Sequence, residues 1–176
     1  ICWGWARTPI GRDGDYFEIL SPGVAAGLTT GVQTVAIGSD HACAIINGGV
    51  RCWGDNSQGQ FGNGEISQYS TSVPAQVTGL TAGVTALSAG NRMTCAVVSG
   101  AAKCWGENLR GLFGDGSVAQ NVNQPSTPVN VTGLGSGVDG VAVGYDDHIC
   151  ARQSGALKCW GNGILGALGN APPIRS

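Results

Sequence analysis

The feature that most constrains this chain is a pair of cysteines placed symmetrically about a turn. Cys43 and Cys52 flank Asn47-Gly48, and Asn-Gly between short apolar runs is a strong signal for a two-residue type I′ hairpin, because both turn residues need positive φ. That turn sets Ile46 opposite Gly49, Ile45 opposite Val50, Ala44 opposite Arg51 and Cys43 opposite Cys52. Counting outward, the cysteines fall on a non-hydrogen-bonded pair with Cα atoms roughly 4.5 Å apart, the short end of disulfide range. The construction recurs: Cys95 and Cys104 about Ser99-Gly100, and Cys150 and Cys159 about Ser154-Gly155. Three disulfides are expected. A seventh cysteine, Cys2, opens an equivalent Cys2-Trp3-Gly4, and its partner would lie before residue 1; it is expected to be unpaired or to pair with a second chain.

The second cysteine of each pair is followed by Trp-Gly, so that Trp3, Trp53, Trp105 and Trp160 mark a period of just over fifty residues, within the range of solenoids and propellers. Each period carries a glycine-rich loop such as Gln60-Phe61-Gly62-Asn63-Gly64 or Leu112-Phe113-Gly114-Asp115-Gly116, shortened at the end to Ala167-Leu168-Gly169-Asn170. A variable stretch then leads to a proline and a short strand, as in Pro74-Ala75-Gln76-Val77 and Pro128-Val129-Asn130-Val131. A strand bounded by glycines follows: Gly31 to Gly38, Gly83 to Gly90 and Gly137 to Gly144. With the two strands of the hairpin, each period holds about four, and no segment keeps a helical period. The expected fold is all-β: a β-propeller of four-stranded antiparallel blades, about three and a half of them present. The divisions are 1-30 for a partial blade, 31-82 and 83-136 for blade repeats, and 137-176 for a last, truncated repeat.

The hairpin puts Cys43, Ile45, Val50 and Cys52 on one face and Ala44, Ile46, Arg51 and Trp53 on the other. Small and apolar residues on both faces suit a sheet covered by neighbouring blades. The third hairpin is rougher, with Arg152 opposite Leu157 on the cysteine face, which suggests an edge or an exposed neighbour.

Composition excludes several classes. A net charge of −2 with only Lys103 and Lys158 as lysines gives no footprint for nucleic acid. No apolar run approaches the roughly 20 residues of a membrane helix, so no membrane insertion is expected. Thirty-one glycines in 176 residues recur at fixed positions and read as turns. Registered cysteine pairs point to an oxidising compartment, hence an extracellular, secreted or cell-surface protein. The chain opens on Ile1 in mid-repeat, with neither initiator Met nor signal peptide, and further sequence is expected upstream.

The Gly-x-x-His-x-Cys-Ala strand, the Gly-Gly-Val-x-Cys-Trp-Gly-Asp-Asn strand and the Gly-Gln-Phe-Gly-Asn-Gly loop resemble the repeats of the regulator of chromosome condensation family. The cysteine-paired form looks like that of secreted bacterial members. The resemblance implies a propeller, typically of seven blades, of which this chain holds about half. A fragment of a longer protein, two copies closing one ring, and end-to-end stacking into a filament all remain open. The family includes guanine-nucleotide exchange factors and similar propellers that inhibit β-lactamases, but no motif of either activity matches positions here, and disulfides argue against a nuclear exchange factor.

Site candidates are few. His41 and His148 precede hairpin cysteines after Asp40 and Asp147, and are expected to be structural, hydrogen-bonding near a blade turn, since two equivalent histidines lack a third metal ligand. Tyr145, Asp146, Asp147 and His148 form a loop one residue longer than its counterparts and are the candidate binding loop. The variable segments from Ser67 to Val73 and Val118 to Thr127 also favour partner binding. Asp13-Gly14-Asp15 has a faint calcium-loop look without the remaining ligands, and reads as a turn. Asn130-Val131-Thr132 is a glycosylation sequon with Asn130 as acceptor. Arg51, Lys103 and Lys158 are expected on a solvated rim, paired with Asp55 or Glu107. No catalytic constellation, metal set or cofactor motif is evident. The expected function is a non-enzymatic extracellular scaffold for a protein partner or for self-assembly, as a dimer or higher assembly. The alternatives are a protein-inhibitor or ligand-binding module of a larger secreted protein and, ranked below these, a guanine-nucleotide exchange factor.

Overall fold

A computed structural model describes residues 2–7, 16–25, 27–118 and 126–169, apart from the side chains of 2–7, 16–23 and Leu165. Its strands are β1 (Cys2–Arg7), β2 (Tyr16–Gly23), β3 (Val32–Ile37), β4 (His41–Ile46), β5 (Gly49–Asn56), β6 (Ser67–Gln76), β7 (Val84–Ala89), β8 (Met93–Val98), β9 (Ala101–Gly106), β10 (Val129–Asn130), β11 (Val138–Val143), β12 (His148–Gln153) and β13 (Ala156–Gly161), with one 3-10 turn at Ile164–Gly166. They form antiparallel sheets in the orders β3-β4-β5-β6, β7-β8-β9-β10 and β11-β12-β13, preceded by the pair β1-β2. These are the first, second and third blades of a partial propeller. Among the described residues no helix is long and apolar enough to cross a membrane.

The hairpins have the register that their turns dictate, Ile46 opposite Gly49 through Cys43 opposite Cys52. Asn47 (φ 50°) and Gly48 (φ 80°) both lie in the left-handed region, as do Ser99 with Gly100 and Ser154 with Gly155. Serine is a costly occupant of that region, so the sheet on either side holds the turn in place. The cross-strand cysteines are joined: Cys43–Cys52, Cys95–Cys104 and Cys150–Cys159, with Cα separations of 4.0, 4.1 and 4.1 Å.

Alternation decides how blades stack. The cysteine faces of the first and second blades pack against the opposite faces of the second and third. Cys43, Ile45, Val50 and Cys52 of the first blade share a buried cluster with Leu87, Ala96 and Trp105 of the second. Cys95, Val97, Ala102 and Cys104 of the second share another with Ile149 and Ala151 of the third. The inner strands β3, β7 and β11 are neighbours around the axis. The third blade's own cysteine face is open: Leu157 is 71% exposed, and beside it Arg152 Nε lies 2.6 Å from Asp139 Oδ1. At the other end Val35 and Ile37 of β3 are also exposed.

The outer strands differ from expectation. The segment from Ser67 to Val73, expected as a variable binding stretch, lies in β6, which pairs with β5 through two shifts of register. Two of its N–H groups are taken locally, Tyr69 by Ser67 Oγ and Val73 by Thr71 Oγ1, so part of its edge is satisfied without another strand. Its counterpart β10 spans two residues, and residues 119–125 of the second variable segment lie outside the described ones. Both outer strands end in the same device. Val50 N–H donates to Leu80 O and Val77 N–H to Val50 O; Ala102 N–H donates to Leu134 O and Val131 N–H to Ala102 O. The third blade shows three strands among the described residues.

Candidate functional site: the loop face

Antiparallel pairing sends the hairpin turns to one end of the blades and the β3-β4, β7-β8 and β11-β12 turns to the other. At that second end each turn is tied to the strand leaving its blade: Asp55 N–H donates to Asp40 O at 2.7 Å, Glu107 N–H to Arg92 O at 3.0 Å and Asn162 N–H to Asp147 O at 2.7 Å. The tie requires glycine after tryptophan. Gly54 has φ 104°, and a Cβ there would sit 2.5 Å from Asp40 O.

The third turn holds its extra residue without breaking this tie. Asp147 adopts φ 61° and supplies the carbonyl that Asp40 and Arg92 supply elsewhere. The slack emerges at Tyr145, whose side chain is 69% exposed. Beside this loop, charges from two blades meet. Arg110 Nη1 of the second blade lies 3.7 Å from Asp147 Oδ2 of the third, and Arg92 Nη1 lies 4.0 Å from Glu107 Oε2. Burial raises the pKa of the Glu107 carboxyl, opposed by Arg92, reinforced by Asp147 and opposed by Arg110. The arginines are about half exposed, and in high dielectric such pairs orient side chains more than they stabilise the fold.

Trp105 and Trp160 act as locks between blades. Trp105 Nε1 donates to Gln60 O at 2.8 Å, and Trp160 Nε1 to Leu112 O at 2.9 Å. Neither partner was legible from sequence, although the recurrence of Trp-Gly and of Phe-Gly was its signal. Arg110 and Glu107 were also missed as site members, because their neighbour Asp147 lies in another blade.

The two histidines stay apart, one per blade. His41 is 3% exposed, with Nε2 2.9 Å from Thr94 Oγ1 of the second blade. Its pKa is lowered to about 4 by burial, against the pull of Asp55. His148 is half-buried, and the Nδ1 atoms of both rings are buried without a hydrogen-bond partner. Among the described residues no group of three or more His, Cys, Asp or Glu could hold a metal ion.

Asn130 is exposed in β10, and its Oδ1 accepts from Lys103 Nζ at 2.6 Å. The expected pairing of Arg51 or Lys103 with Asp55 or Glu107 is not what forms. Asp55 accepts from Ser57 Oγ and Gln60 Nε2, and Glu107 faces Arg92. The Cys2 side chain and Asp13-Gly14-Asp15 lie outside the described residues.

Models of the regulator of chromosome condensation (RCC1) repeat match residues 47–97 and 32–60. The chain is similar to the E3 ubiquitin-protein ligase HERC2 of Homo sapiens, 30% identical over 175 residues that cover 94% of this chain and 4% of that protein. It is similar to the ultraviolet-B receptor UVR8 of Arabidopsis thaliana, 29% identical over 175 residues covering 96% of this chain and 38% of the receptor. It therefore spans well under half the length of either relative. Among solved structures, yeast RCC1 (Prp20) bound to Kap60 aligns with a TM-score of 0.68 at 19% identity, over 81% of this chain and 34% of that one. At that identity the likeness is one of fold.

Proposed function

We propose that this chain, which belongs to the regulator of chromosome condensation repeat family, is a protein-binding propeller module that uses its loop face. The observation that carries the reading is Tyr145, lifted 69% into solvent by the extra residue in its turn, next to Asp147 and its ion pair with Arg110. Tyrosine and arginine are the side chains enriched where protein interfaces hold most of their energy, and here both stand on turns that adjoin blade strands. The solved yeast relative is bound to Kap60, which supports a protein as the class of partner. The reading assigns no catalytic step, and the three disulfides favour an oxidising setting, extracellular or at a cell surface. A protein-inhibitor role would be this same face turned on one target.

A second reading, assembly with further blades or further copies, is favoured by the exposed Leu157 at one end and Val35 and Ile37 at the other. The two readings use different surfaces.

The test of the first is a photo-crosslinking residue placed at Tyr145 and, in a separate protein, at Ser99 on the opposite end. A discrete protein adduct at 145 and none at 99 is expected. No adduct at 145, or equal adducts at both, overturns the reading.

A further inference from the structure

The two joints between the three blades are built from different chemistry at one equivalent place. His41, Met93 and His148 each sit opposite the glycine of a Trp-Gly, namely Gly54, Gly106 and Gly161, and the residues after them, Ala42, Thr94 and Ile149, sit opposite the tryptophans. At the joint of the first and second blades the facing residues are His41 and Thr94, joined at 2.9 Å. At the joint of the second and third they are Met93 and Ile149, both buried in one apolar cluster.

Thr94 Oγ1 is the partner of His41 Nε2 and also lies 3.8 Å from the disulfide sulfur of Cys43, which can only accept. In either neutral tautomer the ring's other nitrogen, Nδ1, is buried without a partner. The ring has little room to turn: it lies so close to Gly38 that a Cβ on that glycine would overlap both the ring and Gly90 O of the second blade.

We propose that the joint between the first and second blades is an acid-sensitive hinge, whereas the joint between the second and third is not. The imidazolium carries a proton on both nitrogens, so Nε2–H has Thr94 as acceptor while Nδ1–H is a buried donor with none, on a ring packed closely against Gly38. The cation is relieved when the first blade swings away and water reaches it. The charged groups of the flanking elements are Asp40 in the preceding turn, Asp55 on β5 and Arg92 in the second blade's turn, and Asp55 is the one that pulls toward protonation. At the other joint the buried pair, Met93 and Ile149, does not titrate; its titratable groups, Asp147 paired with Arg110 and Glu107 beside them, stand at the solvated loop end rather than in the packed interface.

Hydrogen exchange at pH 7 and pH 4.5, scaled for intrinsic rates, tests this on the intact oxidised chain. With a ring pKa of about 4 when packed and 6.5 when released, protection of the groups bonded across the first joint, Ser39 N–H on Asn91 O and Trp105 Nε1–H on Gln60 O, should fall roughly fifty-fold, while Val143 N–H on Ser88 Oγ and Trp160 Nε1–H on Leu112 O keep theirs. The double variant His41→Met, Thr94→Ile installs the pair that the second joint already carries. It should match the parent at pH 7 and lose the response at pH 4.5. Equal loss at both joints, no loss at either, or an unchanged response in the folded double variant would overturn the hinge. Should that variant fold poorly, His41→Gln serves instead, and a response that survives in it overturns the proposal equally.

Discussion

The indole Nε1 of Trp105 donates a 2.8 Å hydrogen bond to the backbone carbonyl of Gln60, which belongs to the preceding blade. The ring lies directly against Gly62: a Cβ there would be 2.6 Å from Trp105 Cδ1, and Gly62 has φ 64°. Trp160 stands in the same relation to Leu112 and Gly114. The loops of the first and second blades are thus the sockets for the tryptophans of the second and third.

The socket gives a comparison that separates contact from backbone strain. Gly79 also has positive φ, with nothing within 4 Å of a Cβ. Gly79→Ala should cost about 1 kcal/mol, the left-handed penalty alone, and Gly62→Ala about 3 kcal/mol, because overpacking against the indole is added. Urea unfolding of both variants measures the difference; equal costs would show that the socket is not tight.

The disulfides should be present and unequal in access. Intact mass without reductant should fall below the reduced mass by the hydrogens of three bridges. Cys43, Cys52, Cys95 and Cys104 are fully buried, whereas Cys150 and Cys159 are partly exposed, so mild reductant followed by alkylation should label the third pair first. Closing a ring of about ten residues stabilises by about 2 to 3 kcal/mol on the chain-entropy account, and replacing Cys150 and Cys159 by alanine should lower unfolding stability by about that much.

Loop-face side chains should be separable from stability. Tyr145→Ala and Arg110→Ala remove exposed groups and should change unfolding by less than about 0.5 kcal/mol, while abolishing the adduct formed from a neighbouring crosslinker at Asp146. Loss of folding in either would mean that the face is structural.

The open cysteine face of the third blade carries Arg152 where the first and second blades carry the buried Ile45 and Val97. Covering that face with apolar surface would desolvate the pair Arg152 forms with Asp139, at a cost that its Coulomb attraction rarely offsets. Arg152→Val with Asp139→Thr should therefore increase self-association, read as a concentration-dependent rise in mass by light scattering. An unchanged mass would count against assembly through this face.

Much of the fold was legible because its determinants are local. Asn47-Gly48 and the spacing of Cys43 from Cys52 specify a register that needs no distant information, and repetition carried it to the other hairpins. What was not legible depends on contacts between periods. Ser67 to Val73 reads as polar and variable, yet it joins β6 because the shifted edge of β5 accepts it and because Ser67 and Thr71 satisfy neighbouring N–H groups. The loop of Tyr145 was visible as one extra residue. Its electrostatic partner Arg110 was not, since nothing in the order of residues says which blade end faces which. His41 showed itself as a structural residue, but its bond to Thr94 spans 53 positions.

On the proposed function, the stacked blades present one end, that of Tyr145 and Arg110, to a protein partner. The most direct test of this reading is hydrogen exchange of the chain alone and with the partner that crosslinks at Tyr145. Added protection is expected at residues 107–110 and 144–148, with none at the turns 47–48, 99–100 and 154–155. Protection confined to those hairpin turns would contradict it.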